Sequence, residues 1–146
     1  MDLVAELEAP VPPAVLFPWV DDLDRYPQWL EIVTRAQSAG PEAWLVDLRG
    51  RLGPLARSKR LRMARTVRQP PRAVVFERRE TDGRTHAPWR LTASVEPLGD
   101  GSRLVMRLHY GGGLWGPVIE RLLGDEIERS RPRLLELLAD EAGPLH

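Results

Sequence analysis

The sequence predicts an α+β domain in which an antiparallel sheet lies against one long C-terminal helix, in the order β-α-α-β6-α. Three observations carry this prediction. Apolar and polar residues alternate with a period of two through most of the chain between Ala43 and Tyr110. The breaks in that alternation are short Gly, Pro and Asp turns, which connect hairpins and leave no room for parallel crossovers. After Gly111-Gly112-Gly113 the period changes to that of a helix, and it persists from about Leu114 towards Glu141. A chain of 146 residues without repeat or linker is read as one domain, residues 1–146.

The elements follow in order. Leu3, Ala5 and Leu7 alternate with Glu6 and Glu8 in a first, half-buried strand. Pro10, Pro12 and Pro13 end it and lead into a helix through Val15, Leu16, Trp19, Val20 and Leu23, which Pro18 should kink or cut short. Asp21, Asp22 and Asp24 mark a break, read as a cap or a solvated turn, before a second helical turn from Tyr26 to Leu30. Strands are then expected over Ile32–Ala39 and Ala43–Leu52, the latter closed by Gly53-Pro54. In the next strand Leu61, Met63, Arg65 and Val67 share one face, opposite Arg60, Arg62, Ala64 and Thr66. Ala73–Arg79 follows a Pro-rich turn, and Asp82-Gly83 is a hairpin signal. Trp89, Leu91, Ala93 and Val95 form the inner row of the next strand. Gly99-Asp100-Gly101 turns it into the last, with Leu104, Met106, Leu108 and Tyr110 inward. The final helix presents Trp115, Ile119, Leu122, Leu123, Ile127, Leu134 and Leu137, with Glu126 and Ser130 inside that stripe, and Pro132 should kink or divide it.

Composition narrows the function. No cysteine is present, which excludes disulfides, thiolate metal sites and cysteine nucleophiles. No apolar run exceeds four residues, and the acidic start lacks a signal peptide's basic and apolar regions, so a cytoplasmic location without a membrane span is expected. The formal charge of zero is unevenly spread. Residues 1–48 hold nine acids and two bases, whereas residues 49–79 hold eleven bases and one acid, Glu77. Strand alternation sends most of those bases to the outer face, and no aromatic residues interleave them for base stacking, so nucleic acid is not expected as a partner. Twenty of the 21 bases are Arg, a bias read chiefly as one of coding sequence.

Four segments stand out together. They are the start Glu8-Ala9-Pro10-Val11-Pro12-Pro13 followed by Val15-Leu16, and Asp22-Leu23-Asp24-Arg25-Tyr26-Pro27-Gln28-Trp29 with its Asp-x-x-x-x-Pro-x-Trp spacing. The hairpin Gly99–Leu104 and the Gly-rich lead-in Gly111–Pro117 are the others. With these the chain resembles the START/Bet v 1-like (SRPBCC) superfamily, within it the polyketide cyclase/dehydrase and lipid-transport group. The resemblance implies a helix-grip fold, in which the sheet wraps around the long helix and can leave a cavity between them.

The expected ligand is therefore small and hydrophobic or amphipathic, lipid- or polyketide-like. Its candidate contacts are Trp29, Met63, Arg65, Phe76, Trp89, Leu91, Met106, Tyr110, Trp115, Leu122 and Glu126. Arg65 stands out as an inward Arg that must be paired, with Glu126 or a ligand carboxylate or carbonyl as the expected partner, unless it snorkels to the cavity mouth or a bulge reverses the strand face. Trp29, Trp44, Phe76, Trp89 and Tyr110 could equally fill the core. His86 and His109 are isolated, no serine sits in a nucleophile motif, and no catalytic residue, metal or cofactor is expected. Two alternatives stand beside ligand binding. One is a polyketide aromatase/cyclase or dehydratase with Arg65 orienting carbonyls and Glu126 or Tyr110 moving protons. The other is a toxin-like interaction protein acting through its basic sheet face. The oligomeric state, including a homodimer, is left open.

Overall fold

The structure is a computed structural model that describes residues 2–52, 55–111 and 116–142, with side chains described for 2–50, 58–111 and 124–141. The expected α+β layout is present. Seven strands form one antiparallel sheet: β1 Asp2–Ala9, β2 Val33–Ser38, β3 Ala43–Leu52, β4 Leu55–Gln69, β5 Ala73–Arg78, β6 Trp89–Leu98 and β7 Gly101–Tyr110. Their order across the sheet is β1-β7-β6-β5-β4-β3-β2, so the chain crosses from one edge to the other between Ala9 and Val33. That crossing is made by α1 (Pro13–Leu16), α2 (Pro18–Asp21) and a 3₁₀ helix (Leu23–Gln28). The curled sheet is closed by α3 (Gly116–Ala142), which packs against β1.

Local sequence explains most boundaries. Pro18 has no N–H to donate, so it begins a second short helix instead of continuing the first, and Val20 and Asp21 both donate to the Phe17 carbonyl. Between β6 and β7 only Gly99-Asp100 lies outside the ladder, and Gly99 takes φ +60°, a conformation an L side chain resists. A Cβ on Gly101 would strike the Ala9 carbonyl, which suits glycine to that strand start.

Four expectations need correction. Asp82-Gly83 does not make a tight hairpin: β5 ends at Arg78 and β6 begins at Trp89. The loop instead folds on Asp82, whose carboxylate accepts from the Arg84 amide and contacts His86. Pro132 does not divide α3, which runs as one element because Leu134 and Leu138 beyond it are buried against the sheet. Leu138 rather than Leu137 completes that stripe, after Ile127 and Leu134. Val67 is 41% exposed, because the β4–β5 register shifts between Arg65 and Val67 and turns it away from the core. The Gly53-Pro54 turn, the run Gly112-Gly113 and the side chains of Ile119 and Leu123 lie outside the described residues. No described helix is long and apolar enough to cross a membrane.

Candidate functional site

The inner face of the sheet and α3 enclose a cavity of about 90 Å³. Its position follows from strand alternation: Val46, Leu61 and Met63 supply one wall, and Leu91, Met106 and Leu108 another. The 3₁₀ helix contributes Leu23 and Tyr26, and Ile127 reaches in from α3. The lining is almost entirely carbon. The Tyr26 hydroxyl is already committed to the Val20 carbonyl at 2.9 Å, and burial together with the nearby Asp21 pushes its pKa well above the ordinary phenol range. The Trp89 indole N–H is buried, with no acceptor within hydrogen-bond distance among the described residues. A buried donor without a partner costs of order 1–3 kcal/mol, so its place in the cavity wall is informative.

Of the sequence-predicted contacts, Met63, Trp89, Leu91 and Met106 line this cavity. Tyr110 packs on Trp89 with ring centroids 5.4 Å apart and the planes tilted by 39°. Trp29 and Phe76 do not line it. The Trp29 N–H donates to the Trp19 carbonyl at 3.0 Å, and Phe76 meets Trp44 edge-on at 5.6 Å in the packed part of the core. Trp115 and the side chain of Leu122 lie outside the described residues.

Arg65 faces inward but away from the cavity, and the expected Arg65–Glu126 pair does not form. Its Nε donates to Glu42 at 2.6 Å, and its Nη1 donates to the Asp21 carbonyl at 2.8 Å and to the Asp21 and Asp22 carboxylates, each at 3.2 Å. Arg68 adds a two-pronged contact to Asp21. The guanidinium of Arg65 also lies 5.3 Å from the Trp44 ring centroid. The acids read as a solvated turn are thus the partners of the buried Arg, joining α2 to β4.

Glu126 occupies a different space, a groove of about 410 Å³ lined by Glu31, Ile32, Thr34, Arg49, Gly50, Glu126 and Arg129. Ile32 also lines the apolar cavity and so separates the two. Among the described residues the buried Glu126 Oε1 has no hydrogen-bond partner, and Arg129 approaches the other oxygen only to 3.6 Å. Burial pushes the carboxyl pKa up, against the pull of Arg129 and the Ile32 and Glu31 amides. Among the described residues no cluster of three potential metal ligands occurs.

Sequence reasoning passed over Lys59. It pairs across the ladder with the cavity-lining Leu48 and lies two residues before Leu61, so all three share the concave face. Its Nζ sits 5.9 Å from the Trp89 ring centroid. The signal was available, since extending the Leu61-Met63-Arg65 row back by one step reaches Lys59.

With this geometry in view, the comparisons with known proteins are decisive for the family. The polyketide cyclase / dehydrase and lipid transport family matches residues 2–141. The chain belongs to this family. Solved structures show the same fold at low identity. A START superfamily protein from Mycobacterium smegmatis superposes with a TM-score of 0.71 and 18% identity, covering 95% of this chain and 97% of that one. A conserved protein from Geobacillus kaustophilus gives 0.74 and 11%, covering 96% of each chain. The AHSA1 protein from Silicibacter pomeroyi gives 0.65 and 23%, covering 97% of this chain and 99% of its own. No curated protein sequence matches the chain significantly. Family and fold together point to a ligand-binding or polyketide cyclase-like domain of the helix-grip type.

Proposed function

We propose that this helix-grip protein binds a small hydrophobic or amphipathic molecule in the apolar cavity between the sheet and α3. The observation that carries the reading is the cavity itself, walled by carbon. At about 24 cal/mol per Å³, an apolar occupant that fills 90 Å³ gains at most of order 2 kcal/mol. That gain alone supports only weak binding, so a tight ligand needs a polar anchor as well. The volume suits a short alkyl or ring moiety. A larger one would displace Met63 and Met106, whose unbranched side chains repack readily. Family membership supports the same reading, since its description names lipid transport beside cyclisation.

The cyclase reading asks for two ionisable groups facing one another in the cavity. Among the described residues Arg65 is consumed by its acids and Glu126 lies in the separate groove, so ligand binding is favoured. Hexan-1-ol, titrated by calorimetry and by thermal unfolding, tests the proposal. Binding in the wild type and its loss in Ala5→Leu, which adds three carbons to the cavity wall, are the expected results. Equal behaviour of a folded Ala5→Leu variant and the wild type would refute it.

A further inference from the structure

The cavity's polar anchor can be sought among groups that the fold leaves without partners. Two such groups lie side by side on the concave face, Trp89 in the cavity wall and Lys59 next to it, where it also borders an open surface groove. Trp89 is 5% exposed, it lines the cavity, and its Nε1–H has no acceptor among the described residues. Lys59 is half-buried on the same concave face, with its ammonium over the Trp89 ring. Among the described residues no carboxylate comes within ion-pair distance of it. Glu80, the nearest acid to influence it, is held by Arg78 at 2.7 Å and accepts from the Arg62 amide as well. Several other bases of this sheet have acids: Arg60 has Asp47, Arg65 has three acids, Arg68 has Asp21 and Arg79 has Glu77. Bases with no acid in contact among the described residues, such as Arg90 and Arg107, stand exposed to water on the outer face.

Resting on the cavity reading above, we propose that Lys59 and Trp89 form an anionic-head subsite, so that the ligand is an apolar molecule ending in a carboxylate. The ammonium would ion-pair with one carboxylate oxygen, and the indole N–H would donate to the acid group from the cavity wall. Both groups are donors, which excludes a head that only donates, and the ammonium favours a charged acceptor over a neutral one. An ammonium head would face Lys59 itself and the neighbouring Arg78. Burial and Arg78 hold the Lys59 pKa below its ordinary range, the state of an amine that has given up water without gaining an anion. The Met- and Leu-lined space then takes the tail.

The test compares hexanoate with hexan-1-ol, which share the tail and differ in the head. Calorimetry gives both affinities, and the indole N–H resonance of Trp89, assigned through Trp89→Phe, reports contact with the head. Hexanoate should bind at least about tenfold more tightly than hexanol, and should shift that resonance downfield. Lys59→Met should abolish the preference by weakening hexanoate far more than hexanol, and Lys59→Arg should keep part of it. A thermal unfolding midpoint no lower than that of wild type shows that the Met variant is folded. If both probes bind wild type equally, or Lys59→Met keeps the preference, the acid subsite is overturned and the cavity reading stands. If neither probe binds, the cavity reading fails and this one with it.

Discussion

Lys59 and Arg65 both stand on the concave side of β4, separated on that row by Leu61 and Met63, and their surroundings differ. Arg65 is enclosed: its side chain is 9% exposed, and Glu42, Asp21 and Asp22 take up its donors. Lys59 has an aromatic face and a half-open space, with no acid in contact among the described residues. A buried cation in a folded chain needs anions, and where the chain supplies them the cation is part of the scaffold. Where it does not, the missing anion has to come from water or from a ligand. Facing inward therefore does not identify a site; the unbalanced charge does. The same contrast separates two buried carboxylates. Asp21 is held by Arg65 and Arg68, while Glu126 keeps one oxygen without a partner among the described residues, beside the polar groove.

The largest effect is expected where the balance is complete. Arg65→Met removes the centre of the cluster and leaves the buried Asp21 with Arg68, whose side chain is half exposed. Breaking a buried pair costs about 3–5 kcal/mol, and the exposure of Asp22 and Glu42 places this one at the lower end, about 3 kcal/mol. Urea unfolding measures it. A loss under about 0.5 kcal/mol would show that water already satisfies Asp21, and the contrast with Lys59 would disappear. Asp21→Ala should cost less, because Arg65 keeps Glu42 and Asp22 as partners.

Glu126→Gln should act in the opposite direction and by less, about 1 kcal/mol of stabilisation at neutral pH. The sign follows from the raised folded pKa. A carboxyl whose folded pKa exceeds its unfolded value of about 4.5 favours the fold while protonated, and that contribution is lost as pH rises through the folded value. The advantage of Gln should thus be absent in acid, grow from about pH 4.5 upward and then level off. Arg129, Glu31 and Arg49 line the same groove and set where it levels. Denaturation midpoints across that range decide it, and an advantage that persists in acid would point to packing and away from charge.

Much of this contrast was legible in the sequence and part of it was not. Alternation in β6 and β7 placed Trp89, Leu91 and Met106 correctly, because those strands pair in unbroken register. Alternation also put Arg65 inside, and the helical period put Glu126 on the buried stripe of α3. Alternation failed at Val67, where a register shift reverses the face, a feature that it cannot anticipate. Partners were the harder problem. Arg65 meets Asp21 across 44 positions of chain, and nothing local in Asp21-Asp22 separates an ion-pair partner from a solvated turn. The cavity was inferred only as a consequence of the fold, since a void depends on how far the sheet curls from the helix and not on any one residue. Lys59 was overlooked as one base among many.

The smallest effect is the one that sharpens the comparison most. Lys59→Met should cost no stability and should gain about 0.5 kcal/mol or less at neutral pH. Burial and Arg78 lower the folded pKa of Lys59 beneath its ordinary 10.5, so the charged form opposes folding throughout the pH range below that folded value. The opposition fades as pH rises through the folded value towards 10.5, where the folded lysine gives up its proton before the unfolded one. The gain from Met should shrink over that alkaline window and be constant below it. Arg65→Met and Lys59→Met exchange similar chain lengths on one face of one strand, so their opposite signs would isolate the contribution of the acids alone. A destabilisation by Lys59→Met comparable to that of Arg65→Met would mean that Lys59 has an anion of its own in the folded protein, and would leave the cavity wall with no free cation to offer a ligand.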